Sequence, residues 1–416
     1  MYIIEISCEY AFTDATVTKH SKLLEQMLTH GLAHPDLDVQ MAAFQSLTGL
    51  VRSIDHKKNV KMFVQALPTM LGKLIEVVQK DQHLAQTALA NFITLVEKQP
   101  NFIKGSLTEV LVLFTELIDN TSNNICSSLR IAGMEGLRVL AHSFSDRLKE
   151  DEVFIKRTLP MYVKVIAENE RTPLEEWASD ISNVQLQKND VSTAAVESLV
   201  QLVDSLSVEY LLPKFIGLIT ECIQSDKTSF QHSGLSIMSV LSEMSAASFK
   251  SDMSNIFKMV YRLASTPNPR VLYDVVFALA ELCSEFSPDL QTNHGRDILL
   301  LIVTTLNHPL EKLRLCALQS ISNYCTNIKE QPAALAPLLE NLGQLMQLVS
   351  AIFDVAVKND SFYIIEECIA CLGAVADQCG SHFSSYYEYF MPGLRKYFGL
   401  LHQKNAKEQA LRTKLV

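Results

Sequence analysis

The chain has 416 residues, 48% of them hydrophobic and 20% charged, with a formal net charge of −10. That apolar fraction supplies ample core, and the length suits two or three domains or one extended repeat array. The negative charge argues against direct nucleic-acid binding, because phosphates attract basic surfaces, and favours a basic protein or peptide partner.

The opening residues, MYIIEISCEYAF, lack a basic leader and a small-residue cleavage site. The longest apolar runs, such as ILLLIV at 298–303, are too short to span a bilayer. A soluble, intracellular protein without membrane contact is expected. The nine cysteines have no paired spacing beyond Cys368 and Cys371, a lone C-x-x-C in an apolar helical run. With no second pair and no nearby histidine pair, they read as buried thiols in a reducing compartment, and no metal is expected.

Helical periodicity runs through nearly the whole chain, and no strand-like alternation persists. Five apolar runs carry a proline in the same context: ALPTML (Pro68), TLPMYV (Pro160), LLPKFI (Pro213), LAPLLE (Pro337) and FMPGL (Pro392). Each is followed by another helix. A proline inside a helix removes a backbone hydrogen bond, so a bend in the first helix of each pair is expected at all five.

The second helices align in chain order. Their reference residues are Ala43, Ala88, Gly133, Ala195, Gly234, Val276, Ala317 and Cys368. One position on stand Phe44, Leu89, Met134, Val196, Leu235, Phe277, Leu318 and Ile369. Four on stand Leu47, Phe92, Leu137, Leu199, Met238, Ala280, Ile321 and Leu372. Seven on stand Leu50, Leu95, Leu140, Leu202, Leu241, Cys283, Tyr324 and Val375. By subtraction of residue numbers, successive references lie 45, 45, 62, 39, 42, 41 and 51 positions apart. Periods near forty built from two helices are the mark of HEAT repeats. The expected fold is all-α: a right-handed superhelical HEAT solenoid of eight to nine helix pairs, forming a single array over 1–416, with the first helix of each pair (A) outside the curve and the second (B) inside.

The spacing of 62 marks an insertion in the fourth repeat, at 169–190, which holds the single tryptophan, Trp177. Its polar, turn-rich composition predicts a loop in which Trp177, with Glu175 and Glu176, either anchors the segment or meets a partner. The spacing of 51 predicts a longer A helix over 335–357.

No nucleotide-binding, nucleophile-elbow or zinc-hydrolase motif occurs, so an enzyme is not expected and no cofactor is implied. The informative row lies nine residues beyond each reference: Arg52, Glu97, His142, Asp204, Glu243, Glu285, Thr326 and Asp377. Nine steps of about 100° point away from the reference, so on B helices this row faces the concave side. Asp204, Glu243, Glu285 and Asp377 are acids near helix C-termini, where the macrodipole disfavours negative charge by about 0.3–1 kcal/mol. Holding lysines of a ligand would give that arrangement a use. Asn323 sits close by, six beyond its reference.

The stretches LEEWASD, NDVSTAAVESL, LLPKFI, HSGLSIMSVLSE, TPNPRVLYDVVFALAELCSEFSPD and VADQCGSHFSSYYEYFMPGL resemble the importin-beta (karyopherin-beta) family, in its importin-5 branch. The match is firmest over about 173–402. The resemblance implies a nuclear import receptor that moves between cytoplasm and nucleus, meets nuclear pore proteins, binds basic cargo signals on its concave face and releases them to GTP-bound Ran. It assigns the signal's lysines to the positions matched here by Asp204, Glu243, Glu285 and Asn323; Asp377 joins them from the nine-step row alone. Family members are much longer, so the chain is expected to be an internal piece lacking most Ran-contacting repeats and binding Ran weakly or not at all. The family's insertion is strongly acidic, whereas this one keeps Glu175, Glu176 and Asp180 without an acidic run. The rival reading is a HEAT scaffold that organises a protein complex, as phosphatase scaffolding subunits do.

Overall fold

The computed structural model describes residues 14–55, 57–119, 125–168, 173–179, 190–244, 253–388, 390–395, 397 and 399. Among the described residues all regular structure is helical, and no helix is long and apolar enough to cross a membrane. Eight A/B pairs follow one another. They are Asp14–Leu32 (α1) with Leu37–Arg52 (α2), Leu67–Lys80 (α3) with Gln82–Lys98 (α4), and Leu107–Asp119 (α5) with Ser127–Glu150 (α6). Leu159–Ile166 (α7) comes next; the short inserted helix Leu174–Ser179 (α8) separates it from its partner Val191–Leu206 (α9). Then come Val208–Gln224 (α10) with Thr228–Met244 (α11), Met253–Tyr261 (α12) with Pro269–Glu285 (α13), Asp289–Leu306 (α14) with Glu311–Tyr324 (α15), and Pro332–Lys358 (α16) with Phe362–Cys379 (α17).

Side chains of Asp and Asn start several B helices. Asp36 accepts from the Asp38 N–H, Asp81 from His83 and Leu84, Asp190 from Thr193, and Asn268 from Arg270. Each cap satisfies otherwise orphaned donors and is worth about 1 kcal/mol. Every reference residue, and every residue four and seven positions beyond it, is buried. One position beyond, the pattern loosens: Val196 and Ile369 are half-buried, and Phe277 is 40% exposed. That position lies at the edge of the apolar arc, where packing against the A helix ends.

The prolines divide into two groups. At Pro68 and Pro160 the backbone stays right-handed helical through the preceding residues, while its hydrogen-bond pattern changes. Each stands in the first positions of its helix, after a 3-10 segment at Lys61–Ala66 and a π-helical segment at Phe154–Thr158. A proline so placed loses little, because the 3-10 or π-helical segment before it has already departed from the regular ladder. Pro213 and Pro337 lie inside α10 and α16, and Pro392 lies within the helical residues 390–395. The long A helix expected over 335–357 is α16, with 27 residues.

The chain forms two compact units, 1–171 with 185–244, and 172–184 with 245–416. In the first, α2, α4, α6, α9 and α11 pack in succession as a B layer. Phe44, Phe92 and Phe114 run through its core with ring centroids 6.5 and 6.4 Å apart. Arg130, on α6, is buried; it grips Glu168 through two bonds of 2.7 and 2.9 Å and donates from Nε to the Ile118 carbonyl. In the second unit, α13, α15 and α17 form the B layer, and α14 packs on α16. Gln291, fully buried, donates from Nε2 to the Cys283 and Tyr324 carbonyls.

Close helix approach has a measurable consequence. A Cβ at Gly136 would meet the Phe114 ring at 2.6 Å, whereas one at Gly72 would meet nothing within 4 Å. Gly136→Ala should lower stability by about 1–3 kcal/mol through overpacking. Gly72→Ala, in an exposed helical position, should raise it by about 0.4–1 kcal/mol. Urea unfolding of both variants checks the pair, and equal effects would contradict the packing described.

Candidate functional site

The solvent-facing stripe of the B layer is built by helical periodicity. On α9 it runs Glu197, Gln201, Asp204, all exposed. On α13 it runs Arg270, Tyr273, Phe277, Glu281, Glu285. On α15 it includes Gln319 and Asn323, and on α17 Glu367, Ala370, Gly373 and Asp377.

Each expected site residue takes its place within its own unit. In the first, Asp204 is exposed in the last turn of α9, and Glu243 lies in the last turn of α11, with its side chain outside the described residues. In the second, Glu285 ends α13 and is half-buried. Asn323, also half-buried, lies in the last turn of α15, and Asp377 is exposed near the end of α17. Because α13 packs on α15 and α15 on α17, these three helix ends are successive neighbours.

Contacts across those helices supply members that periodicity alone did not reveal. Asn323 donates from Nδ2 to Glu281 Oε1 at 3.0 Å, which fixes which end of the amide faces α13. Glu281 lies one turn before Glu285 on the same face. Gln319 donates to Glu367 Oε1 at 3.1 Å. Asp377 accepts from Gln378 and from Lys329 Nζ at 3.5 Å. Gln378 Oε1 takes the backbone N–H groups of Ile328 and Lys329, tying the turn after α15 to α17. Side-chain bonds between residues 42 to 50 positions apart, to side chains and to backbone, leave no local sequence signal.

The insertion holds a short helix, α8, where a loop was expected, and it packs on the second unit. Trp177 is half-buried, edge-on to Tyr273 with centroids 5.8 Å apart. Lys312 Nζ lies 4.8 Å above its ring and donates to its carbonyl at 3.0 Å; the Arg270 guanidinium lies 5.5 Å from the ring. Glu175 and Glu176 are exposed in the first turn of α8.

The C-x-x-C pair is a core feature. Cys368 and Cys371 are fully buried, and burial pushes the Cys368 thiol up to about 12 and that of Cys371 well above its ordinary value. Among the described residues no group of histidine, cysteine or carboxylate side chains is placed to hold a metal ion.

Comparison with known proteins gives a consistent set of likenesses. Residues 7–113 match the family model described as IPO5-like, TPR repeats. The chain is 22% identical over 362 residues to importin subunit beta-3 of Saccharomyces cerevisiae, a match that spans 85% of this chain and 32% of the relative. It is 19% identical over 266 residues to a probable importin-5 homolog of Dictyostelium discoideum, covering 64% of this chain and 24% of that one. Among solved structures, Kap121p superposes with a TM-score of 0.78 at 18% identity, over 94% of this chain and 39% of that chain. Kap121p bound to Nup53p gives the same score at 17% identity, over 95% and 39%. The chain thus has the fold of that HEAT solenoid, and its matches span about a quarter to a third of the length of the curated relatives.

Thiol mapping tests the burial described. At pH 8 a maleimide should label exposed Cys126 in the native protein, while Cys283, Cys316, Cys325, Cys368 and Cys371 stay unlabelled until unfolding. Rapid native labelling of Cys368 or Cys371 by peptide mass mapping would place the pair at an accessible site instead.

Proposed function

We infer that this chain, which carries importin-5-type repeats on the fold of the importin-beta receptors, is a nuclear transport receptor chain that binds lysine-rich localisation signals along its B helices. It is a binding protein, not an enzyme. Its partners are basic cargo proteins and nuclear pore proteins, met as it moves between cytoplasm and nucleus. The likeness to Kap121p, solved bound to Nup53p and to Pho4p, supports partners of both kinds. Release by GTP-bound Ran is what the resemblance implies for the full-length receptors; this chain itself is expected to bind Ran weakly or not at all.

The observation that carries the reading is the run of Glu285, Asn323 and Asp377 at successive B-helix ends, with Asn323 oriented by Glu281. Acids at helix C-termini oppose the macrodipole by about 0.3–1 kcal/mol each, and a bound ammonium offsets that opposition. The Asn323 carbonyl oxygen adds a neutral acceptor suited to a lysine. Neighbouring helices lie about 8–10 Å apart, and an extended peptide rises about 3.3 Å per residue, so lysines three residues apart meet successive helices. Asp204 and Glu243 supply the corresponding row of the first unit.

Each half-exposed contact contributes about 0.2–1 kcal/mol, so affinity is a sum of small terms. The paired change Glu285→Ala with Asn323→Ala should therefore weaken a lysine-rich peptide by about 0.4–2 kcal/mol, a two- to thirtyfold rise in Kd. Asp204→Ala with Glu243→Ala should act in the same direction, and added salt should weaken the parent complex. Titration calorimetry checks all three. A parent that ignores lysine-rich peptides, or a paired variant that binds as tightly as the parent, contradicts the reading.

A further inference from the structure

Asp377 already holds an ammonium, and that ammonium belongs to this chain. Lys329 Nζ lies 3.5 Å from Asp377 Oδ1, and Gln378 Nε2 donates to Asp377 Oδ2 at 2.7 Å, so both carboxylate oxygens are engaged. The lysine and aspartate side chains are 56% and 66% exposed. A pair in that setting adds little to folding stability, because water screens it. Near the C-terminus of α17, however, the cation offsets the unfavourable meeting of a carboxylate with the helix dipole.

The backbone holds Lys329 in place. Residues 325–331 connect α15 to α16. Gln378 Oε1, on the side of α17, accepts the N–H groups of Ile328 and Lys329 at 3.1 and 2.8 Å. From the opposite side Ser287, which follows α13, donates through Oγ to the Thr326 carbonyl. Between these two anchors Asn327 takes a left-handed conformation, φ 52°, which asparagine tolerates better than most side chains. The connection is therefore pinned by the repeat on each side, and only the lysine side chain has to be ordered for its ammonium to reach Asp377.

Leaving α15 just after Asn323 and bonding to the end of α17, the chain itself makes the step that an extended signal would make between those two helix ends. We propose that Lys329 is a tethered stand-in for a signal's lysine at Asp377, so that a signal must displace it to use that subsite. The inference rests on the lysine-signal reading above. The tether supplies Lys329 at a local concentration on the order of millimolar, so it competes at Asp377 whatever the signal. A ligand lysine arriving there gains only the difference between its own contact and the contact it removes. Lys329 thus sets how much a signal gains from a lysine placed beyond those that meet Glu285 and Asn323.

A double-mutant cycle tests it. The parent, Lys329→Met, Asp377→Asn and the double variant are each titrated calorimetrically with a peptide of sequence GSKGSKGSKGS, whose lysines are three apart. Methionine keeps the apolar stem of the lysine and removes its charge. Lys329→Met should bind the peptide about two- to fivefold more tightly than the parent. With Asp377→Asn as the starting protein no carboxylate is left to release, and adding Lys329→Met should change Kd by no more than about 1.5-fold. The general effect of deleting one positive charge is present in both backgrounds and cancels between them. The two N–H bonds to Gln378 do not involve the lysine side chain, so the thermal midpoint of Lys329→Met should stay near that of the parent. Peptide binding that Lys329→Met leaves unchanged, or strengthens equally with and without Asp377, overturns this inference alone. If none of the four proteins binds the peptide, the lysine-signal reading fails and this inference fails with it.

Discussion

No helix pair in this chain can bury its apolar stripe alone. The residues at the reference position and four and seven beyond it make a face that needs both the A partner and the adjacent B helix to exclude water. In each unit every such residue is buried. Stability is then a sum over neighbours rather than a property of one central core. The regular stacking that results presents equivalent turns of successive B helices side by side. A ligand that is itself a repeat, an extended peptide, is matched by that geometry.

On the B helices of the second unit, Glu311 in the first turn of α15 follows the helix dipole, while four other charges oppose it. Arg270 and Lys312 stand at N-terminal ends, and Glu285 and Asp377 at or near C-terminal ends. Both placements oppose the helix dipole. In a fold stabilised mainly by apolar stacking, such placements add nothing to folding and are suited to binding. One end is already satisfied from within by Trp177, through its carbonyl and its ring. At the other end Asn323 and Glu281 hold each other, and exposed Asp377 accepts from Gln378 and Lys329.

Much of the architecture was legible in the sequence because a 3.6-residue period is local. Eight B helices, the long α16 and the solvent-facing position of Asp204 all follow from spacing within one helix. Each exception has its own physical reason. Pro68 and Pro160 follow a 3-10 and a π-helical segment, because a helix that continues past a proline gives up its regular ladder there. Phe277 is exposed because it lies where the apolar arc ends. The grip of Arg130 on Glu168 and the Asn323–Glu281 bond join residues 38 and 42 positions apart, and no single helix records them. The destination of α8 was equally hidden: a polar, turn-rich segment announces that it leaves the repeat, not where its tryptophan lands.

The proposed reading of basic peptides by the C-terminal turns of the B helices is open to a direct measurement. Hydrogen exchange of the whole chain with and without a lysine-rich peptide tests it most directly. Slowed exchange is expected in the last turns of α9, α13, α15 and α17, with α3, α5, α14 and α16 unchanged. Protection confined to those A helices, with the B-helix ends exchanging as in the free protein, would contradict it.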